Sequence, residues 1–324
     1  MADLATKYMG LRLRNPLIVG SSGLTATADK VAECEAAGAG GVVLKSIFEE
    51  QIEMETDSMA AENAWYTEAA DYIQSYGRSR AVEDYLQLIR DCRERVEIPV
   101  IASLHCASPG TWTEFAARAQ EAGAHALELN MFVLPTNPRR TSEEYEQVYI
   151  DLLRRVRSEV SIPVSLKVGP FFSSMARALM GLARTGADGL VLFNRFYRMD
   201  IDIDAMKPVP GPYKSDPDET LVPLRWISIL SGDIEADLCA STGVHDHTAV
   251  IKHLLAGARA VQLCTVLYEK GVAELGTILE GLESWMEGKS LERISAFRGR
   301  LARGAGKQTA GWERVQFMRY SSRQ

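Results

Sequence analysis

The chain has 324 residues, 46% of them hydrophobic and 24% charged, with a formal net charge of −7. That length suits one large α/β barrel or two smaller domains, and the composition permits a sizeable core. The acidic balance excludes a general nucleic-acid binder, which needs a basic face to displace counterions from phosphates.

No apolar stretch has the length of a membrane span, and Met1 to Arg14 carries charges where a secretory leader needs an apolar run. A cytoplasmic protein without a membrane partner is therefore expected. Five cysteines, Cys34, Cys92, Cys106, Cys239 and Cys264, form no C-x-x-C pair and read as buried thiols, with neither a disulfide framework nor a metal cluster.

In chain order, Ala5 to Met9 and Leu11 to Asn15 flank Gly10 as a short hairpin placed to plug one mouth of a barrel. Eight buried strands are predicted next: Leu17 to Gly20, Gly41 to Lys45, Val100 to Leu104, Ala126 to Asn130, Val164 to Val168, Gly189 to Phe193, Asp237 to Ala240 and Ala260 to Cys264. Two are entered by Ile-Pro-Val, at Ile98 and Ile162, and four by one repeated joint. The joint is a small residue, Gly, Ala, any residue, then an apolar run, at Ala37 to Leu44, Ala122 to Leu129, Thr185 to Phe193 and Ala256 to Leu263. A helix that stops on glycine and feeds a strand buried on both faces has this signature.

Helical spacing fills the intervals at Ala81 to Val96, Ser142 to Val160, Met175 to Thr185 and His247 to Ala256, with Leu275 to Met286 near the end. Eight strand-then-helix units predict a single α/β domain, residues 1–324, folded as a (β/α)8 TIM barrel. A doubly wound open sheet is the alternative, but its Gly-rich G-x-G-x-x-G turn is missing. The connections Ile47 to Ile98 and Asn194 to Ala236, the second with a Pro-rich Lys207 to Pro223, are predicted as long loops over the C-terminal mouth.

Active sites of such barrels lie at the C-terminal strand ends, and here those ends are polar. They carry Ser21, Ser22, Lys45, Ser46, His105, Cys106, Asn130, Lys167, Asn194, Thr242, Gly243, Cys264 and Thr265. Lys167 interrupts an apolar run and so points into the site; Lys45 is either a second cation there or a surface charge. Thr242-Gly243 and Cys264-Thr265, at the last two strand ends, form a cup for a phosphate. His245 and His247 lack a third ligand, so no metal site is assigned, and Asp200, Asp202 and Asp204 read as an acidic surface loop.

The order and spacing of these pieces resemble the dihydroorotate dehydrogenase family, and more closely its dehydrogenase-like branch. The resemblance rests on Gly10-Leu11-x-Leu13-Arg14-Asn15-Pro16, Ser21-Ser22-Gly23, Lys45-Ser46, Glu128-Leu129-Asn130, Ser165-Leu166-Lys167, Asn194, Thr242-Gly243-Val244 and Gln262-Leu263-Cys264-Thr265. It implies FMN as cofactor, its phosphate held by Thr242, Gly243, Cys264 and Thr265, and Lys167 beside the flavin N1 and O2 edge. It also implies Ser21, Ser22, Lys45 and Ser46 near the ring system, and Lys45, Asn130 and Asn194 against a planar cyclic substrate. Hydride passing to flavin N5 is the implied chemistry, with dihydroorotate to orotate, a step of pyrimidine biosynthesis, as its named example. A homodimer and a diffusible or protein electron acceptor complete the implied partners.

Departures from the family are as informative. Where the family reads N-L-S-C-P-N this chain reads Asn130-Met131-Phe132-Val133-Leu134-Pro135, so Val133 or Leu134 stands in place of the usual Cys or Ser base. The orotate-gripping N-S-M-G-L-P-N segment is replaced by Tyr72 to Gly77. His105 or Cys106 is the candidate source of proton transfer, and Arg139 and Arg140 are candidates for a substrate carboxylate. The competing readings are an FMN-dependent reductase of another small compound, a flavoprotein serving a redox partner, and a flavin-free barrel lyase that uses Lys167 as a Schiff-base amine.

Overall fold

Gly38, Gly123, Gly186 and Gly257, the glycines of the four repeated joints, take φ of 108°, 97°, 110° and 117° in a computed structural model that describes residues 2–48, 67–105, 109–195, 198–305 and 311–313. A left-handed residue turns the chain out of a helix and offers N–H groups to its last carbonyls. Gly257 N–H does this with the His253 and Leu254 carbonyls, and Gly186 N–H with Ala183. Each joint then enters a strand within a few residues, which is why the motif marks the start of barrel strands.

The chain opens with β1 (Thr6–Tyr8) and β2 (Leu11–Leu13), an antiparallel hairpin. There follow β3 (Leu17–Val19), α1 (Ala28–Ala36), β4 (Gly41–Val43), the two-residue β5 (Ile47–Phe48), α2 (Thr67–Arg95), β6 (Val100–His105) and α3 (Pro109–Glu121). Next come β7 (Ala126–Asn130), α4 (Ser142–Glu159), β8 (Val164–Val168), α5 (Met175–Thr185) and β9 (Gly189–Leu192). A second hairpin, β10 (Met199–Asp202) with β11 (Lys207–Pro210), precedes α6 (Leu221–Leu230) and β12 (Asp237–Ala240). The series ends with α7 (His247–Ala256), β13 (Ala260–Leu263), α8 (Thr265–Lys270) and α9 (Glu274–Gly288).

The parallel order is β4-β3-β13-β12-β9-β8-β7-β6, and β4 pairs with β6 to close the ring. This is the predicted (β/α)8 barrel, with β5 as a short addition beside β6. All eight predicted strands are present. The second is shorter than expected: it stops at Val43, and Lys45 follows it in irregular chain.

Side chains alternate between barrel interior and helix layer, so each strand buries both faces. One packed group joins Tyr8, Met9 and Leu13 of the hairpin segment to Ile18, Val43, Ile101, Ala126, Val191, Cys239 and Ala260 of the strands. The hairpin is thus the expected plug. Met9 N–H donates to Asp237 Oδ2 at 2.8 Å, and Arg259 pairs with Asp237 Oδ1 at 3.0 Å. Gly189 is required by this packing, because a Cβ there would lie 2.8 Å from Tyr8 Oη and 2.9 Å from Met9.

Both long connections contain more structure than their composition suggested. The first carries the long helix α2 where only its C-terminal part was expected. In the second, the alternating Asp200 and Asp202 fall in β10 and Pro208 and Pro210 of the Pro-rich stretch in β11, in register Met199 to Pro210 and Asp202 to Lys207. Pro223 lies in the first turn of α6, where a missing N–H costs no helical bond.

Candidate active site

A cavity open at its outer side, about 650 Å³ when the solvent in its mouth is counted, occupies the C-terminal ends of the strands. Among its lining residues are the predicted Ser21, Lys167, Asn194, Thr242, Gly243, Cys264 and Thr265. The structure therefore brings the ends of β3, β8, β9, β12 and β13 to one place.

At one end the chain leaves β12 through two consecutive left-handed residues, Thr242 at φ 79° and Gly243 at φ 75°. Thr242 is held by its hydroxyl, which donates to the Phe193 carbonyl at 3.0 Å. Gly243 has no alternative: a Cβ there would sit 2.2 Å from the Thr220 backbone nitrogen. Successive backbone amides in such a turn form an anion receptor. Beside it, Ser215 Oγ lies 3.0 Å from Thr265 Oγ1 and 3.2 Å from His245 Nε2, so His245 supports the wall of the cavity.

The floor is electrostatic. Lys167 Nζ donates to Gln262 Oε1 at 2.8 Å, and Gln262 Nε2 donates to Glu128 Oε2 at 2.5 Å. Register explains the stacking: Glu128 is paired with Ser165, and Asn130 with Lys167, one interior layer nearer the mouth. Burial pushes the Glu128 carboxyl up, opposed by the Lys167 charge and the Gln262 hydrogen bond. Burial also raises the Cys264 thiol, again opposed by Lys167 and by a hydrogen bond with Ser22.

The remaining predicted residues form a shell beside this cavity. Ser46 Oγ lies 2.7 Å from Ser103 Oγ and 3.0 Å from Ser21 Oγ, and Ser103 is clamped by the Tyr85 hydroxyl. Asn194 Nδ2 donates to Asn130 Oδ1 at 2.6 Å, and His105 Nδ1 is 2.7 Å from the Asn130 carbonyl. Because a carbonyl only accepts, this contact is a hydrogen bond that His105 donates through Nδ1. Ser22 is the N-cap of the short turn Gly23–Thr25, accepting from Leu24 N–H. Lys45 is exposed and does not line the cavity. Cys106 lies outside the described residues.

Arg140 stacks over the Tyr145 ring at 4.5 Å and donates to the Glu144 carbonyl, while Arg139 is exposed. Both belong to the capped start of α4 rather than to the cavity. Phe132 takes the space above Gly169, where a Cβ would approach its ring to 2.3 Å, and meets Phe171 edge to face. Sequence reasoning read Arg195 at a polar strand end but missed Gln262, Ser215 and Tyr213 as lining residues, and Glu128 behind Gln262. Gln262 and Glu128 had a signal, a polar residue in the middle of an apolar strand; Ser215 and Tyr213 sit in the second long connection, where no periodicity pointed inward.

Among the described residues no helix is long and apolar enough to cross a membrane. The family model described as dihydroorotate dehydrogenase matches residues 3–286. The Thermoplasma acidophilum protein named dihydroorotate dehydrogenase B (NAD(+)), catalytic subunit, is 27% identical over 313 residues, covering 91% of this chain and 97% of its own length. Its Pyrococcus abyssi namesake is 26% identical over 304 residues, with 91% and 98% covered. The namesake from Saccharolobus solfataricus is 33% identical over 175 residues, 52% of this chain. With the closed barrel, the polar strand ends and the match along most of its length, this chain belongs to the dihydroorotate dehydrogenase family of oxidoreductases.

Proposed function

We propose that the chain binds FMN across the barrel mouth and oxidises or reduces a small cyclic or unsaturated acid or amide, with dihydroorotate as the first substrate to test. The observation that carries this reading is one cavity lined both by the left-handed Thr242-Gly243 turn and by Lys167. Bound there, FMN supplies a two-electron hydride acceptor at N5. Thr242, Gly243, Thr265 and Ser215 hold its phosphate, and Cys264 borders it as a neutral thiol. Lys167 stabilises negative charge on the pyrimidine edge of the reduced ring. Ser21, Ser22 and Ser46 pack along the ring system.

Asn130 and Asn194 orient the substrate through their amides, and Lys45 is the rim cation that meets an approaching anion. His105, held against the Asn130 carbonyl, is the proton acceptor we assign in place of the family's Cys or Ser, since Val133 and Leu134 have no basic atom. A general base contributes about two to four powers of ten in rate, so some group must replace it. The Schiff-base reading has less support, because the family is one of oxidoreductases. The acceptor is a small oxidant or a redox protein, in keeping with relatives named for NAD(+).

Reconstitution with FMN followed by anaerobic addition of L-dihydroorotate tests this function. Bleaching of the flavin supports it with that substrate; a yellow protein that stays oxidised removes dihydroorotate, and a colourless one removes the flavin.

The homodimer implied by the resemblance is assigned to the β10–β11 hairpin. Met199 and Ile201, 59% and 68% exposed, share a face with Pro208 and Pro210 by register. Neither edge invites strand addition: the prolines lack N–H groups, and Ile201 N–H is taken by Asp200 Oδ1 at 2.8 Å. Two copies related by a two-fold axis cover both apolar faces at once. Sedimentation should show a dimer that Ile201→Asp dissociates; an unchanged mass refutes the assignment.

A further inference from the structure

Glu128 is 1% exposed, sits mid-strand in a barrel wall, and does not line the cavity. Its only described hydrogen bond is the one from Gln262, and its other oxygen, Oε1, has no hydrogen-bond partner. A carboxyl in that position is costly, since burial removes water without full replacement. A methionine or leucine would fill the same space, so packing alone does not account for an acid.

The groups facing it are few. Lys167 comes from β8, Gln262 from β13, Tyr8 from the plugging hairpin and Cys239 from β12. Burial pushes the Tyr8 phenol and Cys239 thiol well above their ordinary ranges, and the field of Glu128 adds to both shifts. Both are therefore neutral, and Lys167 is the one cation in this set. Gln262 joins the two charges with a fixed sense. A carboxylate can only accept, so it claims the Gln262 NH2 group, which turns Oε1 toward Lys167 Nζ. Glu128 itself is enclosed, so a charge there, coupled to Lys167 through two such hydrogen bonds, is less screened than one at the surface.

We propose that Glu128 is a positioning residue, the buried counter-charge of Lys167, and that through Gln262 it orients the Lys167 ammonium and holds down the reduction potential of the bound flavin. This inference rests on the FMN reading above. Lys167 favours the reduced ring; a negative charge behind it offsets part of that effect.

The test is the FMN midpoint potential of fully loaded wild type, Glu128→Gln and Glu128→Asp, measured against a redox dye at one pH. Glu128→Gln keeps an acceptor for Gln262 and removes the charge, so its potential should move positive, whereas Glu128→Asp should stay near wild type. An unchanged or more negative potential in Glu128→Gln overturns the proposal, because a purely structural role leaves the charge balance alone. Should Glu128→Gln fail to fold, the exchange Glu128→Gln with Gln262→Glu brings a carboxylate directly against Lys167. It should give a potential more negative than wild type, and one equal to or above it overturns the proposal. Wild-type protein that takes up no FMN defeats the cofactor reading instead. The counter-charge is then decided on the apo protein by the rate of Lys167 acetylation, which should rise in Glu128→Gln and which, if unchanged, refutes it.

Discussion

Substituting Gly243 by alanine tests whether the turn after β12 is the rigid end of the site. The new Cβ would lie 2.2 Å from Thr220 N, 2.8 Å from the Glu219 carbonyl carbon and 2.9 Å from Thr220 Cα, all backbone atoms that no rotamer change can move. Forcing such an overlap costs about 1–3 kcal/mol, and an L-residue at φ 75° adds about 1–2 kcal/mol. The stiffer unfolded chain offsets about 0.4–1 kcal/mol. A net loss of about 1–4.6 kcal/mol follows, a fall of roughly 1.5–7 °C in Tm for a chain of 324 residues.

The turn must also move, so FMN affinity falls about tenfold or more, each factor of ten being about 1.4 kcal/mol. Scanning fluorimetry on apo protein and FMN fluorescence quenching read the two effects separately. Thr242→Gly is the control: it relieves a left-handed threonine and loses one hydrogen bond to Phe193, each about 1 kcal/mol, and should be nearly neutral in stability. A Gly243→Ala variant within about 0.5 kcal/mol of wild type refutes the reasoning.

Three further outcomes are expected. His105→Asn should slow flavin reduction by a confirmed substrate about 10²–10⁴-fold while leaving FMN affinity unchanged, and equal rates by stopped flow would remove His105 as the base. Burial raises the Cys264 thiol and Lys167 opposes the rise, so alkylation of Cys264 in apo protein at pH 8 should be slower than that of free cysteine. It should be slower still in Lys167→Met, and faster labelling there would contradict that sign. Burial, with Lys252 adding, pushes the His253 imidazole from 6.5 down to about 3, with Nε2 on Thr220 Oγ1 at 2.8 Å. An unfolded His gains a proton below its ordinary range while the folded one does not. Stability is therefore whole above pH 6.5 and declines by about 1.4 kcal/mol per pH unit as pH falls toward 3. Denaturation of His253→Gln across that window should lack this component, and an identical slope would argue against it.

The barrel was legible because its joints are chemical necessities: Gly38, Gly123, Gly186 and Gly257 each occupy a backbone conformation that other residues avoid. Strand ends were legible for a similar reason, since Lys167 inside an apolar run has nowhere to go except the mouth. Glu128 and Gln262 obey the same logic one layer deeper, yet their meaning depends on which strands become neighbours across the barrel. Spacing along the chain does not contain that information, and the 2.5 Å contact between them joins positions 134 residues apart. The second hairpin was hidden by its prolines, which read as loop until Pro208 and Pro210 are seen to fall on non-bonded edge positions. Lys45, two residues past the end of β4, shows how little a position near a strand end says about its side chain, which is exposed and does not line the cavity.

The most direct measurement is a titration of apo protein with FMN, followed by absorbance and by quenching of flavin fluorescence. The account predicts a saturable complex of one FMN per chain, weakened in Lys167→Ala and in Gly243→Ala. Folded protein that leaves the flavin spectrum and fluorescence unchanged at every concentration would contradict it.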